Sequence, residues 1–345
     1  MAYTTINKST DHFDIRTYAA SGAGSISDVS FQPDFLWFKN RTVVGDHGLM
    51  DAVRGVNGII HSNDANAEVT SNGTTNVTAF TSNGFTYGAS SLIDTGSGTP
   101  CTWLWKANGT GSTNTNGSQN STVSANTAAG FSIVKYTGTG ANVTIGHGLG
   151  VAPKMIHIKG LGNANNWLTG GTNISSNWAS SLHLNTTAGI DTYNYWQNYA
   201  PNTNVFYMTS DGAINQSGID YIAYCFSDVQ GYSKFGSYIG NGSTDGPFVY
   251  TGFKPAYVML KRTDTAGERW NIKDNKRDGY NQTDPVLTAD STGAEYNDAQ
   301  MDLLSNGFKI RTSAISTNAS GGTYIYMAIA AAPLVGSNNV PANAR

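Results

Sequence analysis

The sequence predicts an all-β protein made of three tandem, diverged antiparallel β-sandwich repeats of jelly-roll-like character. Three observations predict it. Three strings align by eye: Phe31-Gln-Pro-Asp-Phe-Leu-Trp-Phe-Lys39, Val151-Ala-Pro-Lys-Met-Ile-His-Ile-Lys159 and Phe253-Lys-Pro-Ala-Tyr-Val-Met-Leu-Lys261. Each has an apolar residue, a proline two positions later, a hydrophobic run and a closing lysine. The candidate strands throughout are short, β-branched or aromatic, and bounded by Gly, Asn, Asp and Ser at intervals of about 8–12 residues. Long helical periodicity is absent.

Taken in order, each repeat opens on a tyrosine–glycine element, at Tyr18-Ala-Ala-Ser-Gly22, Tyr136-Thr-Gly-Thr-Gly140 and Tyr238-Ile-Gly-Asn-Gly242. The proline string follows, with Pro33, Pro153 and Pro255 expected at equivalent strand starts, where a missing N–H does little harm. Next come Phe80-Thr-Ser-Asn-Gly-Phe85, Met208-Thr-Ser-Asp-Gly212 and Leu304-Ser-Asn-Gly-Phe308, whose Asn/Asp-Gly pairs read as tight turns between strands. A bulky strand closes each repeat: Thr102-Trp-Leu-Trp-Lys106, Tyr221-Ile-Ala-Tyr-Cys-Phe226 and Tyr324-Ile-Tyr-Met-Ala-Ile329. Trp103, Tyr224 and Met327 are expected to be equivalent, as are Trp105, Phe226 and Ile329, with both sets on one face.

The boundaries are residues 13–112, 131–231 and 232–334, with 113–130 as a Gly/Ser/Thr/Asn linker and 335–345 as a polar tail. Repeats of about 100 residues exceed the usual solenoid or propeller period of about 20–50. Independent sandwiches, each burying its own core, are therefore expected. The second and third, having no linker, are expected to pack as a unit.

Only 12% of the residues are charged, so the 40 Gly residues and the many Asn, Ser and Thr must keep the chain soluble. The 18 Tyr, 13 Phe and 7 Trp argue for a folded core rather than disorder. A net charge of -3, with Lys and Arg scattered, excludes a nucleic-acid role built on counterion release. No secretory signal and no bilayer-spanning apolar stretch is read, so membrane insertion is not expected. Cys101 and Cys225 fit neither a disulfide framework nor a zinc site and are expected as free buried thiols.

No phosphate loop, nucleophile elbow or His-Glu-x-x-His pair occurs. His47 and His61 could meet across a hairpin, but read as ordinary strand or surface histidines. Asp274-Asn-Lys-Arg-Asp-Gly279 fails as a calcium loop, because Lys276 and Pro285 occupy its third and twelfth positions. What recurs is Asp followed three residues later by Arg, so Asp51/Arg54 and Asp274/Arg277 are read as structural ion pairs fixing a turn. No catalytic residue, metal or cofactor is assigned. The second repeat lacks this turn and has a dense aromatic stretch instead. There Trp167, Trp178, Tyr195 and Trp196 are candidate contact residues, Trp196 foremost, because Trp and Tyr join apolar area to a polar handle.

The opening Met1-Ala-Tyr-Thr-Thr-Ile-Asn-Lys-Ser-Thr-Asp-His-Phe13, the Phe31–Lys39 string, Gly146-His-Gly-Leu-Gly-Val-Ala-Pro153, Ile239–Pro255, and the ending Tyr324–Pro333 with Ala342-Asn-Ala-Arg345 resemble a domain family of unknown function. That family occurs in tail-fibre and other virion proteins of marine bacteriophages, including cyanophages and pelagiphages. The resemblance implies a non-enzymatic virion protein made in the host cytoplasm, either a compact tail appendage contacting the host surface or a capsid decoration. It implies other virion proteins as partners, a homo-oligomer with a trimer favoured, and a host surface glycan as a further candidate partner. The alternatives are a tail-associated polysaccharide depolymerase and a soluble carbohydrate-binding module.

Overall fold

The bulky strand near the end of each segment lies inside a sheet in the computed structural model, which describes residues 4–70, 74–90, 98–333 and 335. In the first sheet Pro100–Trp105 pairs with Phe13–Thr17 and Phe35–Asn40, and Gly48–Asp51 follows beyond the latter. In the second, Asp220–Phe226 lies between Phe131–Thr137 and Met155–Gly160, with Leu168–Gly171 beyond. In the third, Thr323–Pro333 lies between Ser233–Ile239 and Phe253–Arg262, with Asn271–Asp274 beyond. Each of these pairings is antiparallel.

The registers coincide. Trp37 faces Trp103, His157 faces Tyr224 and Met259 faces Met327; two residues along, Phe35 faces Trp105, Met155 faces Phe226 and Tyr257 faces Ile329. Strand alternation puts all twelve on one face of their sheets, because side chains two apart share a face. Pro33 and Pro153 precede their strands, whereas Pro255 lies inside Phe253–Arg262 at a register shift, where its missing N–H removes no regular ladder bond.

Each sheet is apolar on both faces. The outer faces carry local cores: Leu36, Phe38, Met50 and Leu104 in the first, Ile156, Ile158 and Cys225 in the second, and Val258, Leu260 and Ala328 in the third. The inner faces meet one another. Phe35, Trp103, Trp105, Phe131, Tyr224, Phe226, Tyr257, Met259 and Met327 belong to a single buried cluster drawn from all three sheets. Each segment thus buries a core of its own, but the three are not independent of one another: the inner face of each sheet is packed in a cluster shared with the other two. Sequence pattern shows that a face is apolar, not whose surface covers it.

Two further expectations change. The stretch 113–130 is not a free linker, since most of Ser112–Asn114 and all of Ser121–Asn126 extend the second sheet, with Val123 buried in its outer core. The Met208–Gly212 string does not make a hairpin turn. Asp211 instead caps the one-turn helix Gly212–Asn215, accepting from the Ala213 N–H at 2.7 Å. The other two strings do turn strands, with Thr81 paired to Gly84 and Leu304 to Gly307. Except for Val335, the polar tail lies outside the described residues.

The lysine closing each proline string is wholly buried. Lys39 Nζ donates to the carbonyls of Asn40 and Val43 at 2.8 and 3.2 Å, Lys159 to Gly160 and Asn163 at 2.9 and 3.1 Å, and Lys261 to Arg262 and Glu268 at 3.0 and 2.8 Å. Burial brings each of the three down to about 8. A neutral amine still has two N–H donors for its two carbonyls. In the unfolded chain these lysines titrate near 10.4, so between about pH 8 and 10 unfolding takes up protons and raising the pH stabilises the fold. Above pH 10 the slope reverses, because burial holds Tyr136, Tyr224, Tyr238 and Tyr257 well above their ordinary value and unfolding then releases protons. Urea midpoints should therefore rise from pH 7.5 to a maximum between pH 9 and 10 and fall beyond it; a steady decline from pH 7.5 would contradict this assignment.

Candidate functional site

The polar groups that sequence singles out gather where the three sheets meet. Arg54 Nε lies 2.6 Å from Asp51 Oδ2, its Nη1 lies 2.7 Å from Glu68 Oε1, and its Nη2 donates to the Leu49 carbonyl at 3.0 Å. Into this pair reaches Tyr224 of the second sheet, whose hydroxyl donates to Asp51 Oδ2 at 2.8 Å. Burial, reinforced by Asp51, keeps that phenol neutral, while Asp51 and Glu68 outweigh the burial of Arg54 and keep it charged.

The same arrangement joins the third sheet to the first. Arg277 Nε lies 2.6 Å from Asp274 Oδ2, Nη1 lies 2.9 Å from Glu295 Oε2, and Nη2 donates to the Ile272 carbonyl at 2.7 Å. Here Trp103 of the first sheet enters, its indole N–H donating to Asp274 Oδ2 at 3.0 Å with the Arg277 guanidinium 5.8 Å from its ring centre. Burial alone would raise Asp274, but the Arg277 charge and hydrogen bonds hold its carboxyl below the usual range. Arg41 adds a second contact to Glu295, at 2.7 Å.

Between the second and third sheets the chemistry changes. Asp51 faces Phe35 and Asp274 faces Tyr257, but the residue facing Met155 in that register is Gly171, and three residues on stands Ile174. The central residue from the third sheet is Met327, which has no donor to offer. An apolar junction therefore replaces the ionic one, and this explains why the second segment lacks Asp-x-x-Arg.

Two rings of hydrogen bonds close around the same three junctions. In the first, His47 donates to the Thr288 carbonyl at 3.0 Å, Trp167 to that of His61 at 2.7 Å and Trp270 to that of His183 at 2.9 Å. Each donor immediately precedes the strand carrying Asp51, Gly171 or Asp274. In the second ring, backbone N–H groups of Glu68, Ile190 and Glu295 donate to the carbonyls of Leu161, Thr263 and Arg41 at 2.9, 3.1 and 2.6 Å. Trp37 Nε1 donates to His47 Nδ1 at 2.9 Å, which puts the remaining proton on Nε2, and burial drops His47 to about 3 and so keeps it neutral. His61 turns its Nδ1 to the His47 carbonyl at 2.7 Å. The hairpin meeting of these histidines thus involves a ring and a backbone oxygen.

The aromatic contact residues need correcting. Trp167, Trp178 and Trp196 are fully buried. Trp167 serves in the ring above, and Trp196 donates to Ser181 Oγ at 2.8 Å while meeting Trp178 edge to face, with ring centres 4.9 Å apart. Both fill space over Gly170, where a Cβ would come within 2.4 Å of Trp196 and 2.5 Å of Trp178. In the other sheets the position of Gly170 is held by Met50 and Lys273, so a glycine there was the signal that bulky side chains arrive from elsewhere. Tyr195 is half-buried, its hydroxyl bonded to Asp191 at 3.1 Å. Exposed instead are Tyr193 and Tyr199, at 54% and 61%. Cys101 and Cys225 are free and buried, and burial pushes both thiols up. No group of three or more metal-binding side chains occurs among the described residues.

Removing one partner of a buried ion pair leaves the other uncompensated, at a cost of about 3–5 kcal/mol, whereas replacing the whole pair by apolar residues is often neutral. Arg277→Ile alone should accordingly lose about 3–5 kcal/mol of unfolding free energy. Adding Asp274→Leu and Trp103→Phe, which removes the buried carboxylate and the indole N–H while keeping most of their volume, should recover part of it. Urea unfolding of the single and triple variants checks this, and a triple variant weaker than the single one would contradict it.

No curated protein and no solved structure matches the chain. A family model described as a domain of unknown function (DUF7483) matches residues 8–333, a span that takes in all three sheets and the rings between them. The chain belongs to that family.

Proposed function

We propose that the chain is a non-enzymatic structural building block of a bacteriophage particle, a compact tail appendage or a capsid decoration, in which three diverged copies of one sandwich have become a single rigid body. The observation that carries this reading is where the buried charge goes. Arg54 and Arg277, with their carboxylates, are engaged in locking sheet to sheet, which suits a part that transmits load more than one that turns over a substrate. The resemblance to virion proteins of marine phages supports the setting.

Association with further copies or other virion proteins would use outward faces, because the threefold interior is already filled by one chain's own side chains. The homotrimer expected from sequence would therefore be a trimer of closed bodies rather than three chains sharing one core. The test is made on particles of the phage that encodes the chain. The protein should co-sediment with intact virions through a density gradient, and antibody against it should decorate them in electron micrographs. Protein abundant in infected lysate but absent from gradient-purified particles would overturn the reading, and release of new reducing ends from host envelope glycans would favour a depolymerase.

A further inference from the structure

We propose that the third sheet carries a saccharide-binding trough along the first half of strand Tyr296–Leu304. Two adjoining clefts of about 400 and 310 Å³ lie there and share Asp298, within the size range of small-ligand sites. The larger is lined by Tyr296 and Ile315, exposed at 43% and 61%, together with Glu268 and Arg269. Asp284 lines the smaller.

The lining is amphipathic in the way a pyranose is. Tyr296 and Ile315 offer an aromatic ring and an aliphatic side chain to a sugar's C–H face. The rest of the lining includes carboxylates, and Glu268, Asp284 and Asp298 form no ion pair and accept no side-chain hydrogen bond among the described residues. Glu68, Glu295, Asp51 and Asp274 are by contrast each held by an arginine. Glu268 and Asp298 can each accept from two neighbouring hydroxyls at once, which is the pattern vicinal diols present, whereas Asp284 turns one oxygen into the interior. Three such groups also repel phosphates and acidic polymers, since Arg269 is already paired with Asp290 at 3.0 Å. Among saccharides, this favours a neutral oligosaccharide over an acidic one.

The trough is held rigid from beneath. Buried Lys273 donates to the carbonyls of Asp284 and Asp298, both at 2.7 Å, tying the two clefts through one ammonium. Beside it Ala299 has φ +52°, unusual for a residue with a side chain, and the register of its strand shifts against Thr283–Pro285. Such rigidity lowers the ordering cost of binding.

This inference does not depend on residence in a virion. The full chain would be titrated with chitotetraose, cellotetraose and mannotetraose, observed by saturation-transfer NMR and calorimetry. At least one should bind, and Tyr296→Ala and Asp298→Asn should each weaken it at least tenfold with the thermal midpoint unchanged, while Tyr193→Ala should not. Binding of none of the three at millimolar concentration, equal binding by Tyr296→Ala, or binding of calcium without any sugar would overturn the proposal.

Discussion

Three sheets, each apolar on both faces, can be buried only by closing on one another, and the filled axis this creates is the constraint on which the rest of the structure depends. A lone two-layer unit would leave an inner face carrying Phe35, Trp37, Trp103 and Trp105, or their counterparts, in water. At about 1.5–3 kcal/mol per large apolar side chain, four such residues are worth about as much as the whole net stability of an ordinary domain. Closure also explains the direction of the hydrogen-bond rings. A head-to-tail contact repeated three times returns to its start, so no donor or acceptor is left over.

Within that frame the Asp-x-x-Arg turns are a consequence of what sits at the axis. Trp103 and Tyr224 carry an N–H and an O–H into the buried interior, where an acceptor removes the cost of leaving them unpaired. A buried aspartate supplies it, the aspartate then needs a cation, and Arg277 or Arg54 follows with Glu295 or Glu68 behind. Where the axial residue is Met327 the whole chain of requirements disappears, and Gly171, Ile174 and Ile190 stand in place of Asp, Arg and Glu. Burying two ions costs several kcal/mol each before their attraction is counted, so these pairs are better understood as setting register and orientation than as sources of stability.

The strands and the register of the axial residues were legible in sequence because each depends on local alternation and on strings that align, whereas the closing lysines were visible there only as part of a string and not as buried groups. The all-β class follows from the same signals. The shared core was not legible, since alternation marks a face as apolar without saying what covers it. Trp178 and Trp196 misled for a related reason: an Asn-rich, strand-poor neighbourhood looks exposed, and only Gly170, small where Met50 and Lys273 are large, hints that two indoles fill the gap. Thr113–Gly130 looked like a linker because Ser and Thr dominate it, yet a strand edge needs only backbone groups and an occasional Val123 to join a sheet.

Whether the three sheets form one indivisible body is decided most directly by expressing residues 112–231, the whole of the second sheet, alone and recording near-ultraviolet circular dichroism and urea unfolding. Without the other two sheets to cover Phe131, Tyr224 and Phe226, the fragment should show no fixed aromatic signal and no cooperative transition. A sharp unfolding transition with native-like aromatic dichroism would show that the segment's own core suffices, and the shared axis would then be a contact between finished domains.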